Sequence, residues 1–160
     1  TYTHQTAPTQ YVQANGIRFA YRRFGKAGGI PVVFNMHFTG TMDHWDPAVT
    51  DGLARDREVI LFNNAGVSSS SGEVPTTFEQ MGTNAIAFSR AIGLNKVDVL
   101  GFSIGGMVAS SMFQFKSFGV SMILTHGRRA LTRVNARSRR CQPVGRWAWC
   151  RATTPNVRFR

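Results

Sequence analysis

The stretch KVDVLGFSIGGMVASS, from Lys96 to Ser111, constrains the chain more than any other part of it. Val97, Val99, Leu100 and Phe102 predict a short strand, and Ile104, Met107, Val108 and Met112 then recur at helical spacing. Ser103 stands at the junction with Gly101 and Gly105 on either side. A tight strand-to-helix turn leaves no room for β-carbons next to it, which gives both glycines a steric reason. Such a turn also pushes the serine hydroxyl out of the sheet into a strained, exposed position, the geometry a serine nucleophile needs. A bare G-x-S-x-G in any glycine-containing loop carries no such meaning. The strand before Ser103 and the helix after it supply the context that the motif requires.

The rest of the chain alternates strands with helices. Asn15-Gly16 is a two-residue turn signal, with Tyr11-Val12 leading in and Ile17, Phe19 and Tyr21 alternating on the way out, so the N-terminus reads as a hairpin. The runs IPVVFN (Ile30 to Asn35), EVILF (Glu58 to Phe62) and VSMILT (Val120 to Thr125) are continuous and apolar, as buried parallel strands are. Asp46-Pro47 is a helix start. Thr76 with Glu79 predicts a capping box for a helix with the stripe Phe78, Met81, Ala85, Phe88 and Ile92, stopped by Gly93. The helix after Ser103 is expected to reach about Lys116. These elements predict an α/β domain with a mostly parallel sheet, whose ligands lie at the carboxyl ends of the strands, where Ser103 is.

On these residues the stretch from Tyr11 to Gly127 resembles the N-terminal half of an α/β-hydrolase, closest to the esterase and non-haem-peroxidase-like branch. The resemblance implies a partial α/β-hydrolase fold with an N-terminal hairpin, truncated after the sixth strand. It implies Ser103 as nucleophile, with the backbone N–H of Ile104 as one oxyanion donor at the start of a helix. Counted back from Trp45, which resembles a tryptophan common in the family, Met36-His37-Phe38 falls on the family's H-G-F, so Phe38 carries the second donor N–H. The loop FNNAGVSSSSG looks like the one after the family's fourth strand, where D-x-R-G-x-G is usual; Asn63 and Ala65 depart from that pattern. The implied substrate is a small-molecule carboxylic ester, lactone or related acyl compound. Serine at the elbow argues against the dehalogenase and epoxide-hydrolase branches, which place aspartate there.

A serine needs a base, and the base an orienting carboxylate; the family order is Ser, Asp or Glu, then His. After Ser103 the sequence holds no Asp or Glu and one histidine, His126, and the last acid is Asp98. His126 is not at the family's histidine position and is given no role. His37 and His44 lack metal-ligand spacing and read as loop or wall residues, so neither a metal nor a cofactor is expected. The expectation is a chain that is a poor catalyst or none.

The charge divides the chain in two. Residues 1–127 hold nine Lys or Arg against all eight acids, whereas residues 128–160 hold ten arginines and no acid. The boundary at 127 separates the domain from an arginine-rich tail without helical or strand period, of the composition that a shifted reading frame yields, and expected to be disordered or poorly packed. A nucleic-acid-binding role for the tail, with Arg on phosphates and Trp147 or Trp149 stacking on bases, is the alternative. Cys141 and Cys150 are too far apart in sequence for a C-x-x-C pair and read as incidental thiols. If the fold stops here, the VSMILT strand is left as an apolar unpaired edge. With no apolar run of about eighteen residues and no signal-like start, no membrane span is implied and a cytoplasmic protein is expected.

Overall fold

A computed structural model describes residues 2–37, 39–115, 117–126, 141–144 and 147–151. The hairpin is β1 (Gln10–Ala14) and β2 (Ile17–Gly25), paired antiparallel. Asn15 and Gly16 both take positive φ, 51° and 75°, as the twist-matched hairpin turn demands. There follow β3 (Val32–Asn35), a 3-10 turn (Met42–His44), α1 (Pro47–Ala54), β4 (Glu58–Phe62), α2 (Phe78–Ala91), β5 (Lys96–Phe102), α3 (Ile104–Met112), β6 (Gly119–His126), β7 (Cys141–Val144) and β8 (Trp147–Arg151). They form one sheet in the order β1-β2-β4-β3-β5-β6-β8-β7. The centre is parallel: β3 lies between β4 and β5, and β6 joins β5 on its far side. Over its first six strands this is the expected mostly parallel sheet with an antiparallel N-terminal hairpin, and β8 and β7 add two antiparallel pairings.

The strands carry continuous apolar runs because both faces of the sheet are covered. Val33, Ile60, Phe62, Val97 and Val99 pack with Phe88 of α2 and with Ala109 and Met112 of α3. Val32, Phe34, Val59, Leu61 and Leu100, pointing the other way, pack with Met36, Met42 and Trp45 and against Val49 and Leu53 of α1. Phe88 is fully buried and stacks on Phe62 at 4.6 Å between ring centroids, with Tyr21 at 5.5 Å and Phe19 at 5.6 Å. Strand alternation therefore sorts neighbouring residues of one run into two separate cores.

Three local expectations are corrected. The cap of α2 is Thr77, whose Oγ1 accepts the Gln80 N–H at 3.2 Å; the helix starts one residue later than a Thr76–Glu79 box would set it. Phe78 consequently occupies the first helical position and is exposed, so the buried stripe begins at Met81. The helix α3 ends at Met112, short of Lys116, where Gln114 and Phe115 turn back onto the Ser111 and Met112 carbonyls. Asp46 caps α1 as expected, accepting the Ala48 N–H at 2.8 Å, and Gly93 after α2 has φ 85°.

The edge expectation is also corrected. β8 pairs antiparallel with β6 through Met122↔Arg151 and Ile123↔Cys150, so the apolar sixth strand is not left as a bare edge. β7 pairs with β8 in turn and puts Cys141 opposite Cys150, a juxtaposition that their spacing in sequence does not suggest. The remaining tail positions, and Phe38, lie outside the described residues.

The segment ahead of β1 is fastened through His4, a buried side chain whose Nδ1 lies 2.9 Å from Thr50 Oγ1 and whose backbone N–H donates to Asp51 Oδ1 at 2.7 Å. Burial, with the Arg22 guanidinium adding to it and Asp51 and Asp43 opposing, holds this imidazole below its ordinary value of 6.5. The unfolded chain then takes up a proton at a higher pH than the folded one, so unfolding binds a proton in between. Stability is full above pH 6.5 and falls as pH drops through that value toward the folded-state one; His4→Gln flattens this slope in urea midpoints compared at pH 7.5 and 5.5. Independently, Phe88→Ala is expected to cost about 3–5 kcal/mol in urea unfolding at pH 7.5, through lost burial and the cavity left among three aromatic rings.

Candidate active site

Ser103 is the one residue between β5 and α3, and its backbone is turned to φ 55°, ψ −121°. Positive φ is costly for a residue with a β-carbon and persists only where the surroundings impose it. Here the surroundings are backbone. A β-carbon at Gly105 would overlap the carbonyl oxygen of Asn35 and lie 2.7 Å from its carbonyl carbon; one at Gly101 would overlap the carbonyl of Gly105 and lie 2.5 Å from the Gly106 nitrogen. The start of α3 thus sits directly on the ends of β3 and β5. Ser103 itself is exposed, while Gly101, Gly105 and Gly106 around it are buried. Ile104 is the first residue of α3, where N–H groups lack intrahelical acceptors and the helix dipole favours negative charge.

The loop after β3 faces this turn. Asn35 is the register partner of Gly101, so the loop departs beside the elbow. Gly40 N–H donates back to the His37 carbonyl at 3.0 Å, and Thr41 and His44 close a reciprocal cap over the 3-10 turn, His44 Nδ1 accepting the Thr41 N–H at 3.1 Å. Farther along, Asn63 Oδ1 accepts the Met42 N–H at 2.7 Å, and Arg22 Nη1 lies 2.6 Å from Asp43 Oδ1. Trp45 is buried with its ring edge on Phe34 at 4.8 Å. Asn63 stood out in the sequence only as a departure from a family pattern, and its bond to Met42 joins loops 21 positions apart that no local signal links.

The histidines divide by position. His4 is docked on α1 and His44 is engaged in its own loop's cap. The His37 ring lies edge-on to Phe102 at 5.7 Å and parallel to His44 at 6.4 Å, which makes it a wall residue beside the strand end that leads into Ser103. His126, at the end of β6, is the register partner of Phe102, so the sheet brings it to the same edge as Ser103. Asp98, the last acid, is engaged by Arg57, which also donates to the Ile30 carbonyl at 2.7 Å. At roughly 3.3 Å per strand residue it lies about 16 Å from Ser103, at the far end of β5. Among the described residues no three His, Cys, Asp or Glu side chains gather as a metal site would need.

The sequence profile of the alpha/beta hydrolase fold family matches residues 30–144, running past position 127 into β7, and the chain belongs to that family. A solved alpha/beta hydrolase fold protein from Chitinophaga pinensis is 43% identical and superposes with a TM-score of 0.73, over 76% of this chain and 44% of that one. A proline iminopeptidase of Heyndrickxia coagulans is 25% identical over 117 residues, 71% of this chain and 41% of that protein. The dihydrolipoyllysine-residue acetyltransferase component of the acetoin cleaving system of Cupriavidus necator is 33% identical over 108 residues, 66% of this chain and 28% of that protein. The chain spans less than half the length of each of these relatives. No helix among the described residues is long and apolar enough to cross a membrane.

The backbone contact at the elbow predicts a contrast between two glycines. Gly105→Ala must move β3 or α3, since main chain rather than a flexible side chain stands in the way, and is expected to cost about 1–3 kcal/mol or more. Gly52→Ala on α1 meets nothing within 4 Å and is expected to add about 0.5–1 kcal/mol through helix propensity. Thermal unfolding of the two variants beside the parent chain reads both signs.

Proposed function

We propose that Ser103 is the nucleophile of a serine hydrolase acting on a small-molecule carboxylic ester, lactone or related acyl compound. The observation that carries this reading is the strained, exposed Ser103 at the junction of β5 and α3, held there by two glycines that backbone contacts make obligatory. Ser103 Oγ adds to the acyl carbon, and the carbonyl oxygen takes up negative charge against the N–H of Ile104 and the N–H of Phe38. Collapse expels the alcohol, which carries away the proton lost by the Ser103 hydroxyl, and water adds to the acyl-serine, giving the acid and returning a proton to Ser103 Oγ. Membership of the family and the sheet that brings these segments to one edge support the reading.

Turnover by these 160 residues is proposed to be slow. No Asp or Glu follows Ser103 in the sequence to orient a base, and Asp98 is engaged with Arg57 at the far end of its strand. A serine without its triad partners keeps only the contribution of binding and the oxyanion donors, on the order of a thousandfold or more below an intact enzyme. Mixing the purified chain with a p-nitrophenyl ester is expected to release p-nitrophenol slowly, with acyl adduct on the Ser103 peptide by mass spectrometry and neither signal in Ser103→Ala. Acylation elsewhere, or unchanged in Ser103→Ala, overturns the nucleophile assignment. Turnover at ordinary esterase rates, abolished in Ser103→Ala, overturns the slow-turnover reading and turns the search for a base to His37, His126 or a second subunit.

A further inference from the structure

We infer that Asn63 is a positioning residue that sets the place of the oxyanion-donor loop relative to Ser103, an inference that rests on the hydrolase reading above. Asn63 follows the last residue of β4 and is 1% exposed. Its side chain spans two loops, Oδ1 accepting the Met42 N–H at 2.7 Å and Nδ2 donating to Ser69 Oγ at 3.1 Å. Its main chain is fixed as firmly. Its N–H donates to the Ala20 carbonyl at 3.0 Å, and its carbonyl accepts from Ser70 Oγ at 2.8 Å. The Ser70 hydroxyl oxygen in turn accepts the Ala20 N–H at 2.9 Å, so Asn63 is tied to the sheet through β2.

The consequence concerns the loop between β3 and α1. One end of it is set by Asn35, whose carbonyl lies against Gly105 of the elbow and whose strand position pairs with Gly101. The other end is set at Met42, buried in the core beneath the sheet and held at its N–H by Asn63. In the sequence, position 38, the proposed second donor, lies between Asn35 and Met42. A donor contributes fully only when it is already aimed at the place where charge develops, so slack at the Met42 end moves it off target. A neutral carboxamide suits the position because the Met42 N–H needs an acceptor and Ser69 Oγ is met by a donor from the same group. Aspartate keeps the acceptor for Met42 and loses the donor for Ser69; leucine keeps neither.

The test reads the chemical step and the loop separately. The full chain is treated with a fluorophosphonate, whose phosphoryl oxygen occupies the oxyanion position once Ser103 is labelled, and the rate constant is separated from the binding constant and from the labelled fraction. Asn63→Leu is expected to lower the labelling rate constant about tenfold to a hundredfold with the binding constant little changed, as a donor displaced by about 1 Å would. Asn63→Asp is expected to restore most of that loss. A purely structural defect would instead lower the labelled fraction and leave the rate constant alone. By hydrogen exchange, the amides of residues 40–44 are expected to exchange faster in Asn63→Leu and at the parent rate in Asn63→Asp. Should Asn63→Leu not fold, Asn63→Ser, too short to reach the Met42 N–H, carries the same expectations. An unchanged rate constant, or unchanged exchange across 40–44, overturns the inference. Absence of any Ser103 labelling in the parent chain overturns the hydrolase reading instead, and the exchange arm still decides whether Asn63 holds the loop.

Discussion

The contact on which the site depends is one of main chain against main chain: the first turn of α3 resting on the ends of β3 and β5. Gly105 touches the Asn35 carbonyl and Gly101 touches the Gly105 carbonyl, and neither position has space for a single further carbon. That closeness turns the backbone at Ser103 to positive φ and leaves Ser103 exposed beside the buried Gly101, Gly105 and Gly106. The packing beneath the turn holds this strain in place. Val33, Val99, Ala109 and Met112 fill the space between helix and sheet, so α3 cannot lift without opening the core.

The loops at this edge are held differently. Core burial stabilises the domain through many contacts, whereas each loop is located by a few hydrogen bonds, each worth on the order of 1 kcal/mol net. Asn63 holds the loop after β3, Ser70 and Ser71 return the loop after β4 to Ala20 and Arg18 of β2, and Arg22 reaches Asp43. Apart from the Arg22–Asp43 ion pair, these bonds run from side chains to backbone across elements, so they fix direction more than they add stability. The same edge collects His37, His126 and Ser103, whereas Asp98, paired with Arg57, lies toward the other end of β5.

Much of this was legible in residue order, and the parts that were not share a cause. The turn at Asn15-Gly16, the cap at Asp46 and the stop at Gly93 are local: each depends on one or two residues whose backbone or side chain has few alternatives. The cap of α2 shows the limit of the local signal, since Thr76 and Thr77 are equivalent in pattern and the hydrogen bond from the Gln80 N–H to Thr77 Oγ1 distinguishes them. The bond from Asn63 to Met42 and the docking of His4 on Thr50 were invisible, because hydrogen bonds between distant segments leave no spacing to read.

The sequence by itself determined the strand-to-helix turn at Ser103, the two-faced apolar strands and the alternation that makes the centre of the sheet parallel, because steric exclusion at glycine and burial of apolar runs act at short range. It also determined that no acid follows Ser103 and that the positive charge gathers beyond 127. Only the tertiary structure decided which neighbours the strands take. β8 lies on β6, Cys141 stands opposite Cys150, and His126 arrives beside Phe102. Pairing across a sheet joins residues that the chain keeps far apart, and its register is set by the packing of whole faces rather than by any residue's own preference.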